Sequence, residues 1–297
     1  MGLMMELLTA AVWLPVVLGL PFVALTYAFY WYETVNGPHR TRLTDLSGGY
    51  PAVWVLRGML SGVVAVAIVI VTFPFGWMRR RKDPATWTGD QPPVLLVHGL
   101  YHNPGAWLLY HGWLRRGGYR DVDTFGFSSW GRSFDDLTGD LSRAIDDLCS
   151  KAGQPVIVIG HSLGGLLGRA CAQRPENRHR IAALVTLGSP HQGSKLAALA
   201  LGSLGRSLLF RGDVIATLER GSLPASLPCL AVVSPVDNMV LPNEALHVRN
   251  GEWTYHETGP ISHVSMLYHA PTARQVIAFL DDAFRGARNW STRSFGQ

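Results

Sequence analysis

The sequence predicts an α/β fold in which helices cover both faces of a mostly parallel sheet, preceded by two transmembrane helices. From residue 93 onward, short apolar runs alternate with helical patterns, as they do in parallel sheets. Two much longer apolar stretches come first, over residues 7–31 and 53–78. We therefore expect a membrane anchor over residues 1–82 and one globular domain over residues 83–297.

Each apolar stretch is long enough to cross a bilayer, because about 20 helical residues at 1.5 Å per residue span a hydrocarbon core of about 30 Å. Gly58 and Gly62 form a pair of small residues that lets two helices, or two copies of the chain, pack closely. Aromatic side chains gather at the ends of both stretches, as expected at a headgroup interface. They are Tyr27, Phe29, Tyr30, Trp31, Tyr32, Trp54, Phe73, Phe75 and Trp77.

The charge distribution indicates a membrane partner and excludes a nucleic-acid one. The net charge is +5, and residues 1–82 carry seven basic and three acidic side chains, so most of the excess belongs to the anchor. No stretch interleaves basic and aromatic residues as a nucleic-acid groove does. The basic cluster at residues 79–82 directly follows the second apolar stretch. By the positive-inside rule, it places the globular domain on the cytoplasmic face of a bacterial inner membrane.

The elements of the globular domain follow in a regular order until residue 195. Residues 195–227 interrupt the alternation, and we expect either a lid over the functional site or an ordinary pair of packed surface helices. The long helix places Leu137, Leu141, Ile145 and Leu148 on one face. The predicted strands cover residues 93–98, 121–127, 155–160, 181–187, 229–233 and 252–257, and the predicted helices 134–151, 163–173 and 272–285.

The most informative segment is Gly-His-Ser-Leu-Gly at residues 160–164, between a predicted strand and a predicted helix. A serine at the apex of such a turn is lifted out of the sheet, and the flanking glycines avoid clashes where the backbone comes very close. The N-terminus of the following helix also offers N–H groups to an anion. The segment predicts that Ser162 is a nucleophile.

A serine nucleophile needs an acid that orients its base. Asp237 comes shortly after the apolar run at residues 229–233, so its carboxylate is expected at the carboxyl end of a buried strand. Glu219 and Glu244 are alternatives, but neither directly follows a strand-like run. We interpret Asp237 as the acid.

Three histidines follow Asp237 in the chain and are candidates for the base. His256 lies within an alternating strand pattern, and His269 lies at the start of the last helix. His263 lies on the loop between them, where an imidazole can reach the serine. His263 is the preferred base, and the other two histidines remain alternatives.

Three segments together resemble the αβ-hydrolase fold, and more narrowly the bacterial lipases that have a His-Gly-Leu oxyanion loop. They are VHGL at residues 97–100, GHSLGG at 160–165 and TLGSPHQGS at 186–194. The resemblance covers about residues 91–284. It implies Ser162 as nucleophile, Asp237 as acid, His263 as base, and the backbone N–H groups of Leu100 and Leu163 as the oxyanion hole.

The resemblance also bears on metals and cofactors. The secreted lipases of this group often hold calcium with an aspartate two residues after the catalytic histidine, and this chain has Ser265 there. The three cysteines show no C-x-x-C spacing, which argues against a zinc site or a disulfide framework. We expect no metal and no cofactor.

Taken together, these features predict a membrane-anchored serine hydrolase that cleaves carboxylic esters of lipid-like substrates. One alternative is an acyltransferase that passes the same acyl group to an alcohol. Another, from a different class, is a non-catalytic membrane scaffold built on a hydrolase fold. The complete set of nucleophile, acid and base disfavours the scaffold.

Overall fold

The computed structural model describes residues 6, 17, 19–78 and 91–291, with side chains to residue 285. Of the first predicted span, residues 7–31, residues 7–16 and 18 therefore lie outside the described residues. The basic cluster at 79–82 also lies outside them.

A six-stranded parallel sheet forms the centre of the molecule, in the order β2-β1-β3-β4-β5-β6. Four of the six strands are rich in valine, isoleucine and leucine, and five of the six are buried almost throughout, as in sheets covered on both faces. Val97 pairs with Gly160, and His161 with Leu187, so the carboxyl ends of the central strands meet at one edge. The strands are β1 Val94–Val97, β2 Val122–Phe125, β3 Val156–His161, β4 Ile181–Leu187, β5 Cys229–Val233 and β6 Thr254–Glu257.

Helices cover both faces of the sheet, as predicted. On one face lie α6 (Phe134–Ala152) and α7 (Leu163–Gln173), and on the other lie α5 (Leu108–Arg116) and α10 (Ala270–Ser291). Ser133 and Asp136 form a capping box at the start of α6, and Gly153 ends it in the left-handed conformation. The four apolar side chains predicted to share one face of this helix are all buried.

The interrupted segment at residues 195–227 consists of short elements, including α8 (Gly202–Arg206) and α9 (Asp213–Arg220). Several of its apolar side chains pack into the same core as α6 and α7, whereas Leu199 and Leu201 are exposed. The packed side chains are Ala197, Leu204, Leu208, Ile215 and Leu218. Motion of this segment as a lid remains a prediction, and it concerns mainly the part around residues 199–201.

Within residues 19–78, four helices precede the sheet: α1 Leu20–Val35, α2 His39–Leu46, α3 Pro51–Thr72 and α4 Phe75–Met78. Among the described residues, α3 alone is long and apolar enough to cross a membrane. It ends six residues earlier than predicted, and Pro74 separates it from α4. Crossing of a bilayer by two helices is not confirmed.

The N-terminal helices pack against one another and against the globular domain. Gly58 and Gly62 lie where α3 approaches α1, and a Cβ atom at Gly58 would collide with the Tyr27 hydroxyl. One apolar cluster joins α1, α2 and α3 to the loop after β5. Its buried members are Val23, Tyr27, Tyr30, Leu43, Val55, Val236 and Leu241. The described parts of residues 1–82 and 83–297 thus share one core.

Candidate active site

Ser162 lies at a sharp turn between β3 and α7, in a backbone conformation that non-glycine residues rarely adopt, with φ +54° and ψ −119°. A Cβ at Gly160 would collide with Gly164 and Gly165, and one at Gly164 would collide with the Val97 carbonyl oxygen. Hydrogen bonds fix the turn: Ser162 N–H donates to Leu187 O at 2.9 Å, and Ser189 Oγ donates to Ser162 O at 2.8 Å. This is the strained strand-turn-helix that the sequence predicts.

Asp237 lies on the loop after β5 and is fully buried. Its Oδ1 accepts hydrogen bonds from the backbone N–H groups of Met239, at 2.9 Å, and Val240, at 3.0 Å. Its Oδ2 lies 2.8 Å from Nδ1 of His263. With Nδ1–H donated to the carboxylate, Nε2 is the nitrogen left to accept a proton.

His263 follows β6 and is 5% exposed. Its backbone N–H donates to Asn238 Oδ1 at 3.2 Å, and its carbonyl accepts from His161 Nε2 at 3.2 Å. The rings of His161 and His263 lie 4.7 Å apart. Since His161 directly precedes Ser162, the proposed base lies beside the serine turn, at the sheet edge where β3, β4, β5 and β6 end.

The alternative residues lie elsewhere. His256 is on β6, and His269 Nδ1 lies 2.9 Å from Thr272 Oγ1 at the start of α10. Glu219 lies 3.7 Å from Arg249, and Glu244 is on a short 3₁₀ helix over Asn243–Leu246. The geometry therefore favours Asp237 and His263 over all four.

The loop after β1 comes very close to the serine turn, since a Cβ at Gly99 would lie 3.2 Å from Cβ of Ser162. Leu100 follows on this loop, and Leu163 is the first residue of α7, so their N–H groups remain the predicted oxyanion donors. His98 pins the loop: Nδ1 bonds Gly99 O at 2.9 Å, and Nε2 accepts from Phe127 N–H at 3.2 Å. Burial lowers the pKa of His98 to about 4 and holds the ring neutral.

Gly188, at the end of β4, has a role that sequence reasoning missed. Its φ is +57°, and a Cβ there would lie 3.1 Å from His263 Nδ1 and 3.2 Å from Asp237 Oδ2. Gly188 lies in the TLGSPHQGS segment at residues 186–194, whose pattern marks the resemblance to lipases but not this contact. Asp237 and His263 therefore pack directly against the backbone of Gly188, with no room for a side chain between them.

Tyr27 and Tyr30 correct another expectation. Both were expected in a belt of aromatic residues at a headgroup interface, yet they are 2% and 0% exposed. Their hydroxyls donate to the carbonyls of Val236, at 2.9 Å, and Pro235, at 2.6 Å. An apolar helix shows the same pattern whether it faces lipid or protein, so the sequence did not reveal these contacts.

Among the described residues, no group of three or more histidine, cysteine, aspartate or glutamate side chains could hold a metal ion. Ser265, at the position where the lipase resemblance places a calcium-binding aspartate, instead bonds Ser61 O at 2.9 Å and Ser262 Oγ at 2.6 Å. The absence of a metal requirement remains a prediction.

Comparison with known proteins identifies the family of the chain. A model of the alpha/beta hydrolase family matches residues 94–292, about two thirds of the chain. The chain belongs to the alpha/beta hydrolase family. No curated protein matches this hydrolase significantly.

Several solved structures share the fold of this hydrolase. The mature Bacillus licheniformis lipase BlEst2 is 20% identical, with a TM-score of 0.55 over 64% of this chain and 92% of that one. The lin2722 product of Listeria innocua is 17% identical, with a TM-score of 0.51 over 65% and 94%. Aspergillus fumigatus lipase B is 20% identical, with a TM-score of 0.54 over 65% and 54%. At these identities, the likeness establishes the fold alone.

Proposed function

We propose that this hydrolase is a membrane-associated serine esterase or lipase that cleaves carboxylic esters of lipid-like substrates. The observation that carries the proposal is the hydrogen bond between buried Asp237 and His263, beside the strained turn of Ser162. Two of the structural neighbours, from Bacillus licheniformis and Aspergillus fumigatus, are lipases, which agrees with the proposal.

In the proposed reaction, His263 Nε2 takes the proton of the Ser162 hydroxyl as Oγ attacks the ester carbonyl carbon. The N–H groups of Leu100 and Leu163 hold the oxyanion. The intermediate expels the alcohol, which receives the proton from His263, and leaves an acyl-enzyme. Water, deprotonated by the same base, then attacks the acyl carbon; the bond from that carbon to Ser162 Oγ breaks, Oγ takes the proton back from His263, and the acid leaves. Asp237 holds the Nδ1–H tautomer and stabilises the imidazolium.

Covalent labelling tests the chemistry directly. A fluorophosphonate should label wild-type protein at Ser162 but not the Ser162→Ala variant, and Asp237→Ala and His263→Ala should lower ester turnover by several orders of magnitude. His269→Ala serves as the matched control and should stay within about tenfold of wild type. Near-wild-type turnover in His263→Ala would end its assignment as base. A wild-type protein that neither reacts with the fluorophosphonate nor hydrolyses esters would be a non-catalytic scaffold. Transfer of the acyl group to an added alcohol in preference to water would identify an acyltransferase.

Lipid association is the second part of the proposal. Four apolar side chains on the outer side of α3 are 55–63% exposed: Leu56, Leu60, Val64 and Val71. Arg57 is exposed beside them near the N-terminal end of the helix, where its long side chain can reach the headgroups. The inner side of α3 contacts the hydrolase domain from Gly58 to Phe73, a length of about 22 Å at 1.5 Å per residue. Only the outer side of the helix is therefore left to contact lipid. The basic residues at 79–82 follow α4 in the sequence and complement anionic headgroups.

A charge placed on the outer face of α3 tests this part. Leu60→Asp should weaken binding to vesicles of anionic lipid and turnover of vesicle-embedded ester, while turnover of a short soluble ester stays within about twofold. Thr217→Asp adds the same charge on the exposed part of α9 and should change neither. Unchanged vesicle binding in Leu60→Asp would refute the lipid-facing assignment. An alkaline phosphatase fusion at the C-terminus tests the cytoplasmic location, and its activity outside the cytoplasm would refute it.

A further inference from the structure

The loop that carries Asp237, residues 234–241 (the acid loop), is held by hydrogen bonds from the N-terminal helices, which lie outside the hydrolase domain. Two consecutive carbonyls directly before Asp237 accept hydrogen bonds from the N-terminal helices. Pro235 O lies 2.6 Å from Tyr30 Oη and 2.7 Å from His39 Nε2, and Val236 O lies 2.9 Å from Tyr27 Oη. All three donor side chains are at most 4% exposed. The backbone entering the acid residue therefore has its position set by α1 and α2.

Asn238, on the other side of Asp237, links α1 to the base. Its Nδ2 donates to Thr26 Oγ1 at 2.7 Å, and its Oδ1 accepts from the His263 backbone N–H at 3.2 Å. The Thr26 hydroxyl hydrogen is available for the α1 carbonyls of Phe22 and Val23, each 3.0 Å away, so its oxygen can present a lone pair to Asn238. One chain of hydrogen bonds thus runs from α1 through Asn238 to the backbone of the proposed base.

The base loop, residues 258–265, is held in the same way by α3. Ser262 N–H donates to Ser61 Oγ at 2.8 Å, and Ser265 Oγ donates to Ser61 O at 2.9 Å. These two serines flank His263. The bare backbone of Gly62 allows the approach, because a Cβ there would lie 3.4 Å from Cβ of Ser262.

We propose that α1 and α3 are part of the catalytic apparatus of this hydrolase, with Thr26, Tyr27, Tyr30 and Ser61 acting as positioning residues for Asp237 and His263. The inference rests on the proposed serine hydrolase function. The polar groups of these apolar helices face the two loops that carry the acid and the base. Because the acid and the base lie on separate loops after different strands, a small shift of either loop changes the geometry of proton transfer, which costs rate steeply.

The test uses the full-length protein in detergent micelles, with a short soluble ester so that lipid binding does not enter. Tyr27→Phe, Tyr30→Phe and Thr26→Val each remove one hydrogen-bonding group and almost no volume. Each should lower kcat about tenfold with KM within twofold. Thr26→Ser keeps the hydroxyl and should restore kcat to within about twofold of wild type. Tyr32→Phe, at an exposed position on the same helix, is the matched control and should change neither constant.

A second measurement separates positioning from stability and from the proposed function. The far-downfield proton resonance of His263 Nδ1–H reports the bond to Asp237 without any turnover. It should shift or broaden in Thr26→Val and in the Tyr27→Phe, Tyr30→Phe double variant, and stay in place in Tyr32→Phe. Unchanged kcat and resonance, with only a lower thermal midpoint, would show that the helices merely stabilise the fold and would overturn the proposal. If wild type is inert toward esters and fluorophosphonate, the proposed function fails, and the resonance still decides whether the helices position the pair.

Discussion

Replacing Gly188 with alanine tests how tightly the acid–base pair is built. The backbone there has φ +57°, so a Cβ adds about 1–2 kcal/mol of left-handed strain. That methyl carbon would also lie 3.1 Å from His263 Nδ1 and 3.2 Å from Asp237 Oδ2, closer than an ordinary contact of 3.4–4 Å. The pair must then move by a few tenths of an ångström. Since a misplacement of about 1 Å costs about a hundredfold in rate, we expect kcat to fall about tenfold.

Gly153→Ala supplies the matched control. Gly153 has φ +66°, and a Cβ there meets nothing within 4 Å, so this variant carries the same backbone strain without the contact. Urea unfolding should show that the free energy of unfolding falls by a similar amount, about 1–2 kcal/mol, in both variants. Steady-state assays of ester hydrolysis should show a lower kcat in Gly188→Ala alone. Equal kcat values in Gly188→Ala and Gly153→Ala would refute the argument that the contact between Gly188 and the Asp237–His263 pair matters to catalysis.

Two further predictions follow from the site. Activity should survive EDTA, since Ser265 packs against α3 where a calcium ligand would stand, and a loss that calcium specifically restores would contradict this. Stability should fall with acid: His98 has a folded pKa of about 4 against about 6.5 unfolded, so below pH 6.5 the unfolded chain takes up a proton that the folded one excludes. In urea unfolding, His98 should lower the free energy of unfolding by about 2–3 kcal/mol at pH 4.5 relative to pH 7. The His98→Gln variant should lack this contribution. An equal pH dependence of stability in wild type and variant would disprove the prediction.

The sequence predicted the sheet and the turn at Ser162, because each depends on a local pattern, and it favoured Asp237 and His263 over their alternatives because of their positions after strands. An apolar run followed by a polar residue marks the carboxyl end of a strand, and parallel strands bring those ends together. The roles of these residues in catalysis remain proposals, although their placement agrees with them. The bonds of Tyr27 and Tyr30 to the acid loop could not be predicted, because no local pattern records which surface an apolar helix meets.

The contacts between α1 and the acid loop also set the order in which the chain can fold. Tyr27 and Val236 are 209 residues apart, so α1 leaves the ribosome about 10–40 s before its partner at synthesis rates of about 5–20 residues per second. Throughout that interval the hydroxyls of Tyr27 and Tyr30 lack the carbonyl groups that accept their hydrogen bonds in the folded protein. A nascent chain halted before residue 234 already carries Ser162 but neither Asp237 nor His263. The hydrogen bond between Asp237 and His263 is thus among the last contacts that the growing chain can form, long after the turn at Ser162 has been synthesised.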